Sequence, residues 1–137
     1  MPETSTLRKN KLFINNSNVG RNTKTTASKI YIPDQEGFHI VKFEDIMVIK
    51  SQSNYSMIFI NNAKKIMISK TLKTFEKVLP KQFFRIHNQA IVNKDYITKV
   101  NHSGSIELDN GEKVPMARSR KEQFIEWLLD DQIARIN

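Results

Sequence analysis

Phe83-Phe84-Arg85-Ile86-His87-Asn88-Gln89-Ala90-Ile91-Val92-Asn93 sets an Arg, a His and two Asn among apolar residues of strong strand preference. Alternation through Phe84, Ile86 and Val92 is the period of strands with a buried face. Polar groups placed in this way are either tied down by hydrogen bonds or held out toward a partner. That choice separates a plain β domain from a reader of nucleic acid.

Strand signals extend in both directions. Upstream, Ile30-Tyr31-Ile32 and Phe38-His39-Ile40-Val41-Lys42-Phe43 flank a turn marked by Gly37. Ile46-Met47-Val48-Ile49 is a continuous apolar run, as expected of a strand buried on both faces. Ser51-Gln52-Ser53-Asn54 reads as a loop, Tyr55 to Ile60 as a strand, and Asn61-Asn62 as the turn into Lys65-Ile66-Met67-Ile68, which completes a hairpin. A helix follows, with Ser69 as its expected N-cap. Leu72, Phe75, Val78 and Leu79 form its apolar face, and Pro80 stops it. Of the lysines on its other faces, Lys70 is the candidate phosphate contact. Downstream, Tyr96-Ile97-Thr98-Lys99-Val100 is a strand. Ser105-Ile106-Glu107-Leu108 and Lys113-Val114-Pro115-Met116 flank Asp109-Asn110-Gly111, the strongest hairpin signal in the chain. Pro115 suits an edge strand, where a missing N–H does little harm. The last element is a helix with a Ser119–Glu122 capping box and a buried stripe of Phe124, Trp127 and Leu128. The pattern is mainly β, built from antiparallel hairpins with one or two short helices.

Composition narrows the function. The chain has 137 residues, 39% of them apolar, and no Cys. That length fits one domain plus a tail. Residues 1–29 read as a flexible basic arm or linker, and residues 30–137 as the domain. Disulfides, thiolate metal sites and cysteine nucleophiles are excluded. His39, His87 and His102 have no ligand spacing, so no metal is expected. Four glycines make no phosphate-cradling loop, and there is no nucleophile motif or paired carboxylate. The expectation is a non-enzyme without cofactors. No apolar run is long enough for a membrane helix and no signal-peptide core opens the chain, which suits a cytoplasmic protein.

The net charge is +8. Residues 42–121 hold fifteen Lys/Arg against seven acids, so the central block is basic in its own right. A polyanionic partner and a merely solvated Lys-rich surface both fit that balance. Arg118, Arg120 and Lys121 gather at the start of the last helix, where the helix dipole favours acids. A compensating anion is one reading of that placement, and ordinary surface Arg the other.

Phe83-x-Arg85-x-His87 followed by Val92-Asn93 resembles the signature of the LytTR family of bacterial DNA-binding domains. Phe43-Glu44-Asp45-Ile46 leading to Asn54-Tyr55 resembles its first block. Ser69-x-x-Leu72 resembles the start of its internal helix, and Asn110-Gly111 then Val114-Pro115-x-x-Arg118 its last hairpin and following loop. The ordered set covers about residues 30–130, a span of single-domain size. The resemblance implies an elongated arrangement of small antiparallel sheets whose loops enter DNA. It implies a response-regulator output domain that binds promoter DNA, usually as two copies on direct repeats, and bends the duplex. It also implies contacts from three loops: one ending at Asn54, Tyr55 and Ser56, one at Asn88 and Gln89, and one from Arg118 through Arg120 to Lys121.

The chemistry of these positions fits such roles unequally. Arg118 has a planar fork suited to the O6 and N7 acceptors of guanine. Asn88 fits either an adenine edge or a tight turn, and Asn54 either a contact or a turn. Gln89, Arg120 and Lys121 suit phosphates, which position a protein without specifying sequence. Arg85, His87 and Asn93 are expected to serve internally. Gln89 and Ala117 stand where the family often has Ser, so two hydroxyls are missing from the presumed DNA face. About 29 residues precede the domain, too few for a receiver domain, which points to a separate sensor or signalling partner or to an excised output domain. Two alternatives remain at this level. One is a β-rich RNA-binding protein in which Tyr55, Phe59 and Phe83 stack on bases. The other is a protein-interaction module whose charge only aids solubility.

Overall fold

The computed structural model describes residues 26–61, 64–130 and 133–136. Most of the expected N-terminal arm, and Asn62 of the expected turn, lie outside these residues. Among the described residues, ten strands make three antiparallel sheets. Strands β1 (Lys29–Pro33) and β2 (Phe38–Lys42) form a ribbon. A five-stranded sheet has the order β5-β4-β3-β7-β6, from β3 (Ile46–Gln52), β4 (Tyr55–Ile60), β5 (Lys64–Ile68), β6 (Phe83–His87) and β7 (Ala90–Asn93). The third sheet joins β8 (Ile97–Asn101), β9 (Ser105–Leu108) and β10 (Lys113–Pro115). Two α-helices lie among the described residues, α1 (Leu72–Glu76) and α2 (Lys121–Leu128). The mainly β reading with few short helices holds.

The apolar run at Ile46–Ile49 explains the layering. It lies in the middle strand of the large sheet and all four residues are buried. The register slips by one residue between Ile46 and Val48. Ile46 and Ile49 therefore enter one core, and Met47 and Val48 the other. The first core lies under the β1–β2 ribbon and α1, with Ile32, Phe43, Leu72, Phe75 and Leu79. The second lies under β8–β10 and α2, with Ile106, Leu108, Val114, Phe124 and Leu128. Neighbouring strands follow suit: Ile91 of β7 serves the first core and Val92 the second.

A buried polar clamp fixes the turn that feeds β3. The Asn93 side chain is fully buried, and its amide donates to the carbonyls of Ile46 (2.9 Å) and Phe43 (3.3 Å). Its oxygen accepts from the Asp95 backbone N–H at 3.0 Å. The Tyr96 hydroxyl donates to the Glu44 carbonyl at 2.6 Å. Burial, with Asp45 nearby, pushes that phenol above its ordinary pKa. The expected structural role of Asn93 is thus a three-bond bridge between the turns at 43–45 and 94–96.

Four local expectations change. The expected loop over Ser51–Asn54 shrinks to Ser53-Asn54, because Ser51 and Gln52 pair with Ser56 and Tyr55 across β3 and β4. Ser53 takes φ +57°, the left-handed region that a two-residue hairpin turn calls for. Ser69 does not cap α1; Thr71 holds that position and its side chain makes no capping bond. Val78 is 45% exposed, since α1 ends at Glu76 before the periodic face reaches it. The Ser119–Glu122 capping box is not formed, because Arg118–Arg120 is a 3₁₀ turn and Arg120 occupies the N-cap of α2. The Asn110-Gly111 hairpin is present, with Gly111 at φ +87°, and Pro115 lies on the edge strand β10.

Asn93→Ala should strand the Ile46 carbonyl and the Asp95 amide, and lower the unfolding free energy by about 2–3 kcal/mol. The urea midpoint, with unchanged m, checks this against the native chain.

Candidate nucleic-acid interface

Antiparallel pairing brings the β3–β4 and β6–β7 turns to one end of the large sheet. β3 and β7 are neighbours with Lys50 opposite Ala90. One step further, the Ser51 N–H donates to the Gln89 carbonyl at 3.0 Å. The Ser53-Asn54 and Asn88-Gln89 tips therefore project side by side. The third segment is tied to the same end by its backbone. Ala117 N–H donates to the Ile86 carbonyl at 2.8 Å, just before Arg118. The Arg120 guanidinium donates to the Arg85 carbonyl at 2.9 Å.

The β6–β7 turn is braced from below. Arg85 donates to the Asn88 carbonyl at 2.6 Å and to the His87 carbonyl at 3.4 Å, and pairs with Glu76 of α1 at 2.9 Å. His87 Nδ1 accepts from the Gln89 N–H at 3.2 Å. Arg85 and His87 thus have the internal roles expected of them. With its backbone held this way, the turn leaves the Asn88 and Gln89 side chains exposed.

The sequence-nominated residues separate into three kinds. Asn54, Asn88, Gln89, Arg118 and Lys121 are exposed, and Tyr55 is 46% exposed at the start of β4. Arg118 and Lys121 make no ion pair with another described residue. Arg120 is half-buried and part of its fork is committed to β6. Ser56 is a correction: it is fully buried, and its hydroxyl donates to the Lys70 carbonyl at 2.5 Å. Its strand position sets it opposite Ile68 and Ser51, with its side chain turned inward. The residue that sequence reasoning placed in this loop without a role is Ser53. Its signal is a non-glycine at positive φ, which only the backbone geometry reveals.

Two cations near this end, Lys50 and Arg85, are already paired. Lys50 pairs with Glu112, and burial lowers the lysine's pKa. The aromatics proposed as base-stacking platforms are mostly committed too. Phe83 is 9% exposed in the first core, and Phe59 packs against the second between Lys50 and Lys65. Trp127 stacks on Phe84 at 5.0 Å and donates to the Lys81 carbonyl at 2.7 Å, fastening α2 to β6. Among the described residues, no cluster of His, Asp or Glu could hold a metal ion, and no helix is long and apolar enough to cross a membrane.

Comparison with known proteins gives the same geometry a context. Residues 36–129 match the LytTr DNA-binding domain family. Over 118 residues the chain is 30% identical to the sensory transduction protein LytT of Enterococcus faecalis (strain ATCC 700802 / V583), covering 80% of this chain and 48% of that protein. The chain thus spans about half the length of this relative. A solved structure from Bacillus cereus, described as a LytTr DNA-binding domain, superposes with a TM-score of 0.65 at 27% identity. The match covers 76% of this chain and 99% of that one.

Arg120→Ala should lower the unfolding free energy by about 1 kcal/mol through loss of its bond to β6. Arg118→Ala should stay within about 0.5 kcal/mol of the parent, since its side chain is exposed. Urea titrations of the two variants side by side check the distinction.

Proposed function

The chain belongs to the LytTR family of DNA-binding domains, and on that premise we propose that it reads promoter DNA with two hairpin tips and the segment after β10. The observation that carries this reading is the convergence of Asn54, Asn88, Gln89, Arg118 and Lys121 at one end of the sheet, with the supporting backbone bonded together. Adjacent strands lie about 4.8 Å apart, so hairpin tips two strands apart are separated by about 10 Å. That is about three base pairs of duplex, and fits within a major groove about 12 Å wide.

In this assignment Arg118 reads guanine, and Asn88 and Asn54 read adenine edges or the groove wall. Gln89, Lys121 and the uncommitted part of Arg120 hold phosphates, with Tyr55 packing against the backbone beside them. Ser56 acts from within, by fixing the chain that leaves β5. Three base-reading side chains supply about 3–9 kcal/mol of discrimination. Specific sites commonly need about 4–10 kcal/mol over non-specific DNA. A second copy on an adjacent direct repeat supplies the remainder, and loops engaging one face of the duplex at both sites bend it toward the protein. Control by a separate signalling protein accords with the sensory role named for the Enterococcus faecalis relative.

Selection of bound duplexes from a random pool should return a direct repeat. On that duplex, Arg118→Ala should cost about 1–3 kcal/mol and relax preference at one base position. Log affinity should fall linearly with log salt, by about 0.9 for each phosphate neutralised. Unchanged affinity and base preference in the Arg118 variant would refute its role, and failure to enrich any motif would refute the function.

A further inference from the structure

Among the described residues, the β1–β2 ribbon has an open edge away from the hairpin tips. A groove of about 550 Å³ lies between β1 and the chain at and after α1. All five residues of β1, Lys29–Pro33, line it. Successive strand residues point to opposite faces, so a groove lined by all five runs along the strand's edge. Phe75 and the exposed Val78 give the far wall an apolar surface.

The register shows which backbone groups face this groove. Asp34 N–H donates to the Gly37 carbonyl (2.9 Å), and Phe43 N–H to the Ser28 carbonyl (3.0 Å). Bonded and non-bonded pairs alternate along an antiparallel ribbon. Ile30 and Ile32 therefore bond across to Val41 and His39, while Lys29, Tyr31 and Pro33 direct their backbone groups outward. The open edge offers two N–H donors, from Lys29 and Tyr31, and three carbonyl acceptors. Pro33 ends the donor row.

Charge restricts the occupant. Lys29, Lys70 and Lys77 rim the groove, and no acidic residue lines it among the described residues. The chain's own residues 1–29 carry six Lys/Arg against one acid, and a second copy carries +8, so both are electrostatically mismatched. A duplex is too broad to reach the backbone edge of a narrow groove. We propose that the β1 edge and the wall after α1 form a docking groove for an extended segment of a partner protein with alternating acidic and apolar residues. The segment adds as a third strand to the ribbon, sets its apolar side chains against Phe75 and Val78 on the face of Ile30 and Ile32, and turns its carboxylates to the opposite face, toward Lys29, with Lys70 and Lys77 adding attraction at the rim. Strand addition of this kind takes affinity from main-chain bonds and selectivity from the side-chain pockets.

The probe is a fluorescein-labelled ten-residue peptide alternating Val and Glu, titrated by anisotropy into the full chain. It should bind saturably and shift the amide resonances of Lys29 and Tyr31. A Val–Lys peptide should bind at least tenfold more weakly. Of two peptides N-methylated at alternate residues, one in each phase, one should lose binding at least tenfold and the other keep it. Lys77→Glu and Val78→Asp, both exposed and checked for native circular dichroism, should each weaken the Val–Glu peptide at least fivefold. The proposal is overturned if no saturation occurs, or if both N-methylated peptides bind like the parent. It is equally overturned if a short DNA duplex displaces the peptide from the β1 amides, or if Lys77→Glu abolishes a concentration-dependent self-association of the chain, which would assign the groove to a second copy.

Discussion

Strand β3 has almost no solvent face over its first half, and the rest of the molecule is arranged around that constraint. A strand in the middle of a sheet with four consecutive buried apolar residues needs cover on both sides. The ribbon and α1 cover one side, and the three-stranded sheet and α2 the other. The slip of register at Met47 decides which residue enters which core, so the bulge belongs to the layering. Asn93 fixes where β3 begins, by bonding the carbonyls on either side of the preceding turn. A buried polar side chain with all its partners specifies one arrangement, because any other leaves the Ile46 carbonyl unpaired.

The same sheet determines what is held and what is shown at its far end. Arg85 and His87 hold the β6–β7 turn by its backbone, which leaves the Asn88 and Gln89 side chains without structural duties. Arg118 and Arg120 are two residues apart yet differ in kind. One is exposed, and the other is hydrogen-bonded to β6. A site made of loops can be exact when the backbone beneath each loop is anchored to a rigid element. Here the anchors are the bonds from Ser51 to Gln89 and from Ala117 to Ile86, which join all three segments across strands far apart in sequence.

The basic surface divides along similar lines. Lys50, Arg85 and Lys94 are spent on Glu112, Glu76 and Asp130, so the number of basic residues overstates what an anionic partner meets. Exposed cations lie in several places on the described residues, among them, first, beside the hairpin tips and, second, along the open edge of β1. The second place has an apolar wall and unpaired strand donors, which duplex DNA does not require and a peptide does.

The sequence by itself determined the strand-rich class, the buried run at Ile46–Ile49, the Asn110-Gly111 hairpin, the family resemblance and the internal roles of Arg85, His87 and Asn93. These are written in local periodicity and in residue chemistry, which neighbouring residues suffice to express. Only the tertiary structure decided the matters that depend on partners distant in the chain. Ser56 looked like a loop hydroxyl and is buried, because strand pairing extends β3 through Gln52 and turns Ser56 into the core. Ser69 and the Ser119–Glu122 pair looked like caps, but a 3₁₀ turn and a later start moved both helix ends. The two alternating faces of β3 looked equivalent until the bulge assigned them. Pairing register, bulges and long-range backbone bonds are properties of two segments at once, and no single segment encodes them.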